Sequence, residues 1–147
     1  MTGTVRPMSA SIRIDGLVEE PTAVDAARLA GLPSVIAEAA GVVRGAVGTA
    51  VRVEEVLQLT RPASSATHCT VIAGEDGYRA SIPLDELVAG GWLAFGLEGG
   101  SLPRERGGPF RLTVARGATL CWNVKDVVAL HLASEREDDD VPAAPPH

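Results

Sequence analysis

The side chains best suited to chemistry in this sequence are two cations, Arg111 and Lys125, with Asn123 close to the second. A guanidinium and an ammonium both bind anions, and an amide adds a neutral hydrogen-bonding group. Brought to one face, the three would form an anion-binding patch. Each cation also fits an ordinary solvent-exposed position on a strand, so the spacing has to decide between the two interpretations.

Two predicted strands carry these side chains. Residues 110–114 alternate apolar and polar positions, and residues 119–124 alternate again. Such period-2 alternation is typical of half-buried strands, and Arg116-Gly117 between them suits a tight turn. The sequence therefore predicts a β-hairpin with its turn at these two residues.

The length of that turn decides what the hairpin can do. A two-residue turn would pair Arg111 with Trp122 and put Asn123 on the opposite face. A three-residue turn would pair Arg111 with Asn123 and bring both to one face with Lys125. Only the three-residue turn builds the anion-binding patch.

Length and composition indicate one globular domain. The chain has 147 residues, 46% hydrophobic and 22% charged, which is enough apolar material for a single core. The formal net charge is −6, and residues 135–140 hold five acids and one arginine, so the rest of the chain is near −2. Nucleic-acid binding needs clustered Lys and Arg, so we expect no nucleic-acid partner.

Organisation along the chain follows from local composition. We expect a flexible leader over residues 1–10, one folded domain over residues 11–132 and a disordered, acidic, proline-rich tail over residues 133–147. No apolar run reaches membrane-spanning length and the first residues lack the apolar centre of a signal peptide. The sequence therefore predicts a cytoplasmic protein without a membrane partner.

Predicted strands outnumber predicted helices, and the helices are short. No alternation of strand and helix suggests a parallel sheet, so the fold class is α+β with mixed or antiparallel sheets. The predicted strands cover residues 11–18, 34–37, 67–73, 78–83 and 92–97 besides the hairpin, and the predicted helices cover residues 22–32, 52–59 and 84–88.

Standard catalytic and metal-binding patterns are missing from the sequence. His68, His131 and His147 are scattered, and no metal-ligand spacing or nucleophile motif accompanies them. Cys69 and Cys121 lie in apolar runs, which predicts buried free thiols. We therefore assign no catalytic residue and no metal ligand from the pattern.

The order of motifs resembles the oxidoreductase molybdopterin-binding domain, the central domain of sulfite oxidases and of bacterial methionine sulfoxide reductase catalytic subunits. The likeness covers roughly residues 11–132. The matching pieces are Ile14 to Val18 followed by Pro21, Leu32-Pro33, Asp76 to Tyr78 followed by Ser81 to Leu84, and Gly107 to Leu112 followed by Asn123 to Lys125.

This resemblance implies a sulfite-oxidase-type molybdopterin-binding fold and a molybdopterin cofactor. In the family, the Arg of the G-x-P-x-R piece and the stretch ending at the later Lys contact the phosphate end of the cofactor. Carried over, the cofactor-binding residues are Arg111, Asn123, Val124 and Lys125. A guanidinium, an ammonium and backbone N–H groups suit a phosphate, so the resemblance favours the three-residue turn.

The sequence also departs from the catalytic members. They hold molybdenum through a cysteine thiolate that precedes a Trp-x-Gly piece, and residues 34–51 here contain neither cysteine nor tryptophan. An Asn that contacts the cofactor in some members aligns with Arg106. Because the thiolate fixes and tunes the metal, we predict a molybdopterin-binding-domain-like protein without redox activity. The alternatives are an active oxidoreductase with an atypical metal ligand, and a small-anion binding or protein-interaction module.

Overall fold

Two β-sheets with short helices between them make up the structure, a computed structural model that describes residues 10–74, 76–115 and 119–141. One sheet has five strands and is mixed, and the other has four antiparallel strands. The predicted α+β class is confirmed. The strands are β1 Ser11–Gly16, β2 Thr22–Asp25, β3 Thr49–Arg52, β4 His68–Ala73, β5 Arg79–Pro83, β6 Gly91–Leu97, β7 Gly100–Ser101, β8 Arg111–Val114 and β9 Val127–Ala133.

The helices are short and connect strands. They are α1 Ala26–Ala30, α2 Val53–Gln58 and α3 Leu84–Gly90, with single 3-10 turns at Ala39–Gly41, Arg104–Arg106 and Leu120–Trp122. Within the described residues, none of the helices has the length and apolar character needed to span a bilayer.

The five-stranded sheet has the order β2-β1-β9-β4-β5, with β1 and β9 parallel and the other pairs antiparallel. Its inner face is apolar, because Ile12 and Ile14 alternate with polar residues on β1 and are fully buried. On β9, Leu130 and Leu132 flank His131 and are likewise buried. This alternation is the period-2 pattern of a strand with one face on the core.

The four-stranded sheet is built on β6, which pairs with β3 on one edge and β8 on the other. Leu93 and Phe95 face the main core. Ala94 faces the other side and contributes to a second, smaller cluster with residues of the segment 36–50. Because both faces of β6 are covered, its sequence is apolar throughout.

The predicted hairpin around residues 116–117 is wrong in its pairing. β8 confirms the first predicted strand, but it pairs with β6, and Leu120–Trp122 forms a 3-10 turn where the second strand was expected. The Asn123 Oδ1 accepts the Val114 N–H at 2.8 Å, so a side chain replaces the expected partner strand. Neither turn register forms a ladder in the described part of the chain, and residues 116–118 lie outside it.

Two other elements differ from the prediction. Residues Thr22–Asp25 form β2 against β1 before α1 begins, and the Asp25 carboxylate caps α1 by accepting the Arg28 N–H at 2.9 Å. The predicted strand at residues 34–37 is reduced to one bridge between Ile36 and Ala50. The predicted helix thus joins what the structure divides into β2 and α1, and the predicted strand extends over residues of which only Ile36 pairs.

The chain ends fall partly outside the structure. Of the predicted leader only residue 10 is described, and residues 142–147 of the predicted tail are not. Residues 134–141 follow β9 and contact the five-stranded sheet, with Val141 against the main core.

Candidate functional site

The two parts of the last matching motif, residues 107–112 and 123–125, lie side by side in the structure. The piece around Gly107-Gly108-Pro109 runs along residues 123–127, and the Gly108–Pro109 peptide is cis. Three backbone hydrogen bonds of 2.8 Å join the pieces: Asp126 N–H to the Gly107 carbonyl, Val127 N–H to the Phe110 carbonyl, and Leu112 N–H to the Val124 carbonyl. The backbone therefore fixes the relative position of the two pieces.

Arg111 and Lys125 meet over Gly107. A Cβ at Gly107 would lie 2.8 Å from Arg111 Cδ and 3.1 Å from Lys125 Cγ, so both side-chain stems occupy the space that another residue type would fill. Gly107 has φ +91°, a conformation that glycine adopts without penalty. The two cations that the sequence predicts as a pair are thus brought together, with Lys125 exposed and Arg111 half-buried.

The Arg111 guanidinium is only partly satisfied by the protein. Its Nη1 donates to the Arg106 carbonyl at 3.2 Å, while its Nε is buried and has no hydrogen-bond partner among the described residues. A buried donor without a partner costs about 1–3 kcal/mol. An anion bound beside Lys125 would supply the missing acceptor and a charge-assisted hydrogen bond.

A second arginine has a buried Nε without a described partner, and its surroundings explain it differently. The Arg52 guanidinium donates to the carbonyls of Val88 and Ala89 near the end of α3, at 3.3 and 3.4 Å. It also lies 5.8 Å from the Trp92 ring centroid. Arg52 therefore joins α3 to the sheet, whereas Arg111 has a second cation beside it.

Asn123 and Val124 support the site from within the fold. The Asn123 Oδ1 accepts the Val114 N–H, and Val124 is buried with its carbonyl bonded to Leu112. Both residues thereby fix the backbone that leads to Lys125. Their direct contact with a ligand stays a prediction.

A cleft of about 360 Å³ is lined in part by Arg106. Its walls combine Glu38 and Gly48 from the segment before β3, Glu98 from the turn after β6, and Arg106 from the 3-10 turn Arg104–Arg106. The resemblance puts the metal thiolate of catalytic members in this same segment and a cofactor contact at Arg106. Because the Arg106 carbonyl also accepts a hydrogen bond from the Arg111 guanidinium, Arg106 links the cleft to the cation pair.

The donor set for molybdenum does not fit the structure. Cys69 is fully buried in β4, and burial raises the pKa of its thiol to about 12, so it stays protonated at neutral pH. Cys121 lies in the 3-10 turn Leu120–Trp122, away from the sequence segment that holds the thiolate in catalytic members. Residues 10–74, 76–115 and 119–141 hold no group of three His, Cys, Asp or Glu side chains able to bind a metal.

Comparison with known proteins agrees with this architecture. Residues 2–140 match the family model of the oxidoreductase molybdopterin binding domain, so the chain belongs to that family. The fold is similar to that of the sulfane dehydrogenase SoxCD from Paracoccus pantotrophus, with a TM-score of 0.67 and 21% sequence identity. That alignment covers 86% of this chain and 39% of the sulfane dehydrogenase chain, so the protein spans about two fifths of it. No curated protein matches the sequence.

Sequence reasoning missed the anchoring of the segment that lines the cleft. Glu55, in the first turn of α2, accepts the Ser34 N–H through Oε1 at 2.8 Å, and the Ser34 Oγ accepts the Arg52 N–H at 3.0 Å. An acidic residue in the first turn of a short helix is usually explained by the helix dipole alone. Here the contact crosses 21 residues, which no local pattern reports.

Proposed function

We propose that this protein binds a phosphorylated small molecule of the molybdopterin type at Arg111 and Lys125, and that it does not perform the redox reaction of the catalytic family members. The observation that carries the proposal is the buried Arg111 Nε, which has no hydrogen-bond partner among the described residues, on a side chain whose stem meets that of the exposed Lys125 over Gly107. Membership of the molybdopterin-binding family supports the ligand class.

The chemistry of the pair suits a phosphate. A guanidinium offers several N–H donors in a planar arrangement, and an ammonium adds a compact charge that can turn towards the remaining oxygens. Molybdopterin, when bound, would supply a phosphate group for these donors. Because Arg111 is half-buried, its hydrogen bonds would be less weakened by water and salt than those of a fully exposed side chain.

The absence of redox activity is proposed from the missing thiolate. A soft anionic sulfur ligand holds and tunes a metal of this kind. Residues 34–51 contain no cysteine, and the buried Cys69 is protonated at neutral pH. The part of the protein that would bind the phosphate end is therefore retained, while the part that would hold the metal is not.

Metal and pterin analysis tests the proposal directly. The protein is purified from a molybdenum-replete host that makes the cofactor, and molybdenum is measured by mass spectrometry and pterin by fluorescence after release. We expect pterin without stoichiometric molybdenum. Stoichiometric molybdenum would favour the active oxidoreductase with an atypical ligand, and neither molybdenum nor pterin would favour a module for another small anion or for a protein partner.

A binding measurement tests the residues. Inorganic pyrophosphate is titrated into the protein while the amide signals of Gly107 and Lys125 are followed by NMR. Arg111→Ala should weaken binding at least tenfold, since it removes a charge-assisted hydrogen bond worth about 1.5–3 kcal/mol. Arg28→Ala, at an exposed position on α1, is the matched control and should leave the affinity unchanged. Equal affinities of Arg111→Ala and the unmodified protein would contradict the proposed site.

A further inference from the structure

A row of polar side chains crosses the outer face of the five-stranded sheet. Strand register aligns Asp15 of β1 with His131 of β9, His131 with Thr70 of β4, and Thr70 with Ser81 of β5. We call these four residues the polar row. They lie on the face opposite the apolar core, because they alternate with buried apolar residues on each strand.

Residues 134–141, here called the tail segment, cover this row. Glu137 accepts the Thr70 hydroxyl, and its own N–H donates to the Ser81 Oγ at 3.1 Å. Thr70 is 0% exposed and Ser81 4% exposed. The sequence predicts this acidic stretch to be disordered, yet its carboxylates and backbone match the hydrogen-bonding groups of the row.

The tail segment also satisfies the free edge of β5. β5 is the last strand of its sheet, so one side of its backbone has no strand partner. The Arg79 N–H donates to Asp140 Oδ2 at 2.9 Å and the Ser81 N–H donates to Asp139 Oδ2 at 2.7 Å. In return, the Asp140 N–H donates to the Arg79 carbonyl at 2.9 Å. The tail segment therefore takes the place of a neighbouring strand.

His131 lies between a fixed carboxylate and a carboxylate of the tail segment. Its Nδ1 is 2.8 Å from Asp15 Oδ1 on β1, and its Nε2 is 3.7 Å from Glu137 Oε2. The imidazole is 39% exposed, so protons can reach it from solvent. An imidazole changes charge between about pH 5 and pH 8, whereas carboxylates remain ionised there.

Charged and titratable groups on the neighbouring elements surround this contact of His131. Arg13 of β1 pairs with Asp15 at 2.9 Å. β4 presents the neutral Thr70 beside His131, with the protonated Cys69 thiol on the opposite face. On β5, Arg79 and Ser81 lie two strands away. The tail segment itself brings charged residues to the cavity that His131 lines, namely Glu135, Arg136, Glu137 and Asp138.

We propose that the tail segment is a reversible cover for the edge of β5 and that protonation of His131 tightens it. The protonated imidazole attracts Asp15 and Glu137 at once. After deprotonation, Nδ1–H still donates to Asp15, but the Nε2 lone pair faces the Glu137 carboxylate and the attraction is lost. The cover is consequently tighter at about pH 5.5 than at about pH 8, and its opening exposes the N–H groups of Arg79 and Ser81. This device is independent of the cation pair at Arg111.

Hydrogen exchange of the Arg79 and Ser81 N–H groups measures how often the tail segment opens. Protection factors of the Arg79 and Ser81 amides, each corrected for the intrinsic pH dependence of exchange, are determined by NMR at about pH 5.5 and about pH 8. We expect protection to fall about threefold at the higher pH, the effect of one partly exposed ion pair. The Val71 amide in β4 serves as an internal reference and should not change.

Variants separate the cover from general stability. His131→Gln and Glu137→Gln should each remove the pH dependence at Arg79 and Ser81, while His68→Gln, on the same sheet, should keep it. A chain shortened after Ala133 should lose protection at both amides at every pH and retain it at Val71. Equal protection of the unmodified protein at the two pH values, or retained pH dependence in His131→Gln, would overturn the proposal. If the Arg79 and Ser81 amides of the shortened chain remained protected, the tail segment would not be what covers the edge of β5.

Discussion

Arg111 and Asn123 belong to the same sequence motif, but the structure gives them different tasks. Within the described part of the chain the Arg111 Nε has no hydrogen-bond partner, while the Asn123 Oδ1 accepts the Val114 N–H. An unsatisfied donor that lies beside a second cation suits an anionic ligand, and a satisfied acceptor indicates support of the backbone. Loss of Arg111 should therefore reduce binding, and loss of Asn123 should first reduce stability.

Asn123→Ala tests this difference. It leaves the Val114 N–H without its acceptor, and we expect the free energy of unfolding to fall by about 1–3 kcal/mol. Asn123→Asp keeps an oxygen at the same place and should retain most of the stability. Chemical denaturation of the three proteins gives the comparison. If the free energy of unfolding falls equally in both variants, the hydrogen bond to the Val114 N–H does not account for the loss.

Gly107→Ala tests the space shared by the two cations. The new Cβ would approach Arg111 Cδ and Lys125 Cγ, and the residue would have to hold φ +91°. Gly77→Ala is the matched control, because it has φ +71° with no atom within 4 Å. Both should lose about 1 kcal/mol of stability through the backbone, but only Gly107→Ala should also weaken pyrophosphate binding. An equal effect of both variants on binding would count against a shared site over Gly107.

At the scale of elements, the sequence predicted β8 but not its partner. Alternation in residues 110–114 predicts a strand with one apolar face, but it carries no information about which strand lies beside it. Residues 119–124 alternate for another reason: Leu120 is 84% exposed and Trp122 8% exposed, although both would share one face of a strand. The pattern belongs to a 3-10 turn that inserts one aromatic ring into the core.

The segment that lines the cleft depends on α2 for its position. The Glu55 carboxylate accepts a hydrogen bond from the Ser34 N–H, and the Ser34 hydroxyl accepts one from the Arg52 N–H. Glu55→Ala should lower the free energy of unfolding by about 1–2 kcal/mol, because two hydrogen bonds in series are weakened. Glu54→Ala, one residue away on the same helix turn, should stay within about 0.5 kcal/mol of the unmodified protein. Thermal unfolding of both variants measures the difference, and similar losses would show that the contact to Ser34 is not the cause.

For the whole molecule, the buried thiol of Cys69 predicts a pH dependence of stability. Its pKa rises from 9.0 to about 12 on folding, chiefly through burial. The unfolded chain therefore loses a proton above about pH 9 that the folded chain keeps, and stability should fall as the pH rises from about 9 towards 12. Tyr78, whose pKa burial also raises, adds to the same trend.

Cys69→Ala tests the contribution of the thiol. Its free energy of unfolding should decrease less steeply with pH above about 9 than that of the unmodified protein, even though the cavity lowers its stability at neutral pH. Cys121→Ala, at a half-buried position, is the comparison variant. If the free energy of unfolding fell equally steeply with pH in the unmodified protein and in Cys69→Ala, the Cys69 thiol would not be the source of the pH dependence.

How far the sequence could predict the molecule depends on whether a feature is local. The α+β class, β4, β5 and α2 follow from periodicity, and the motif order indicated the family. The meeting of Arg111 and Lys125 depends instead on backbone hydrogen bonds between residues 107–112 and 124–127. The contacts of the tail segment with β5 could not be predicted, because its composition is that of a disordered chain and composition does not report hydrogen bonds to a distant strand.

The position of β9 has a consequence for biosynthesis. β9 lies in the middle of the five-stranded sheet, between β1 and β4, yet it follows every other strand of that sheet in the chain. While the protein is being translated, the β1–β2 pair and the β4–β5 pair leave the ribosome without the strand that joins them, each with an open edge. Assembly of the five-stranded sheet must wait for residues 127–133. Such non-local pairing is slow and leaves aggregation-prone intermediates exposed. The strand that completes the sheet is also the one that decides how long the nascent chain needs protection from aggregation.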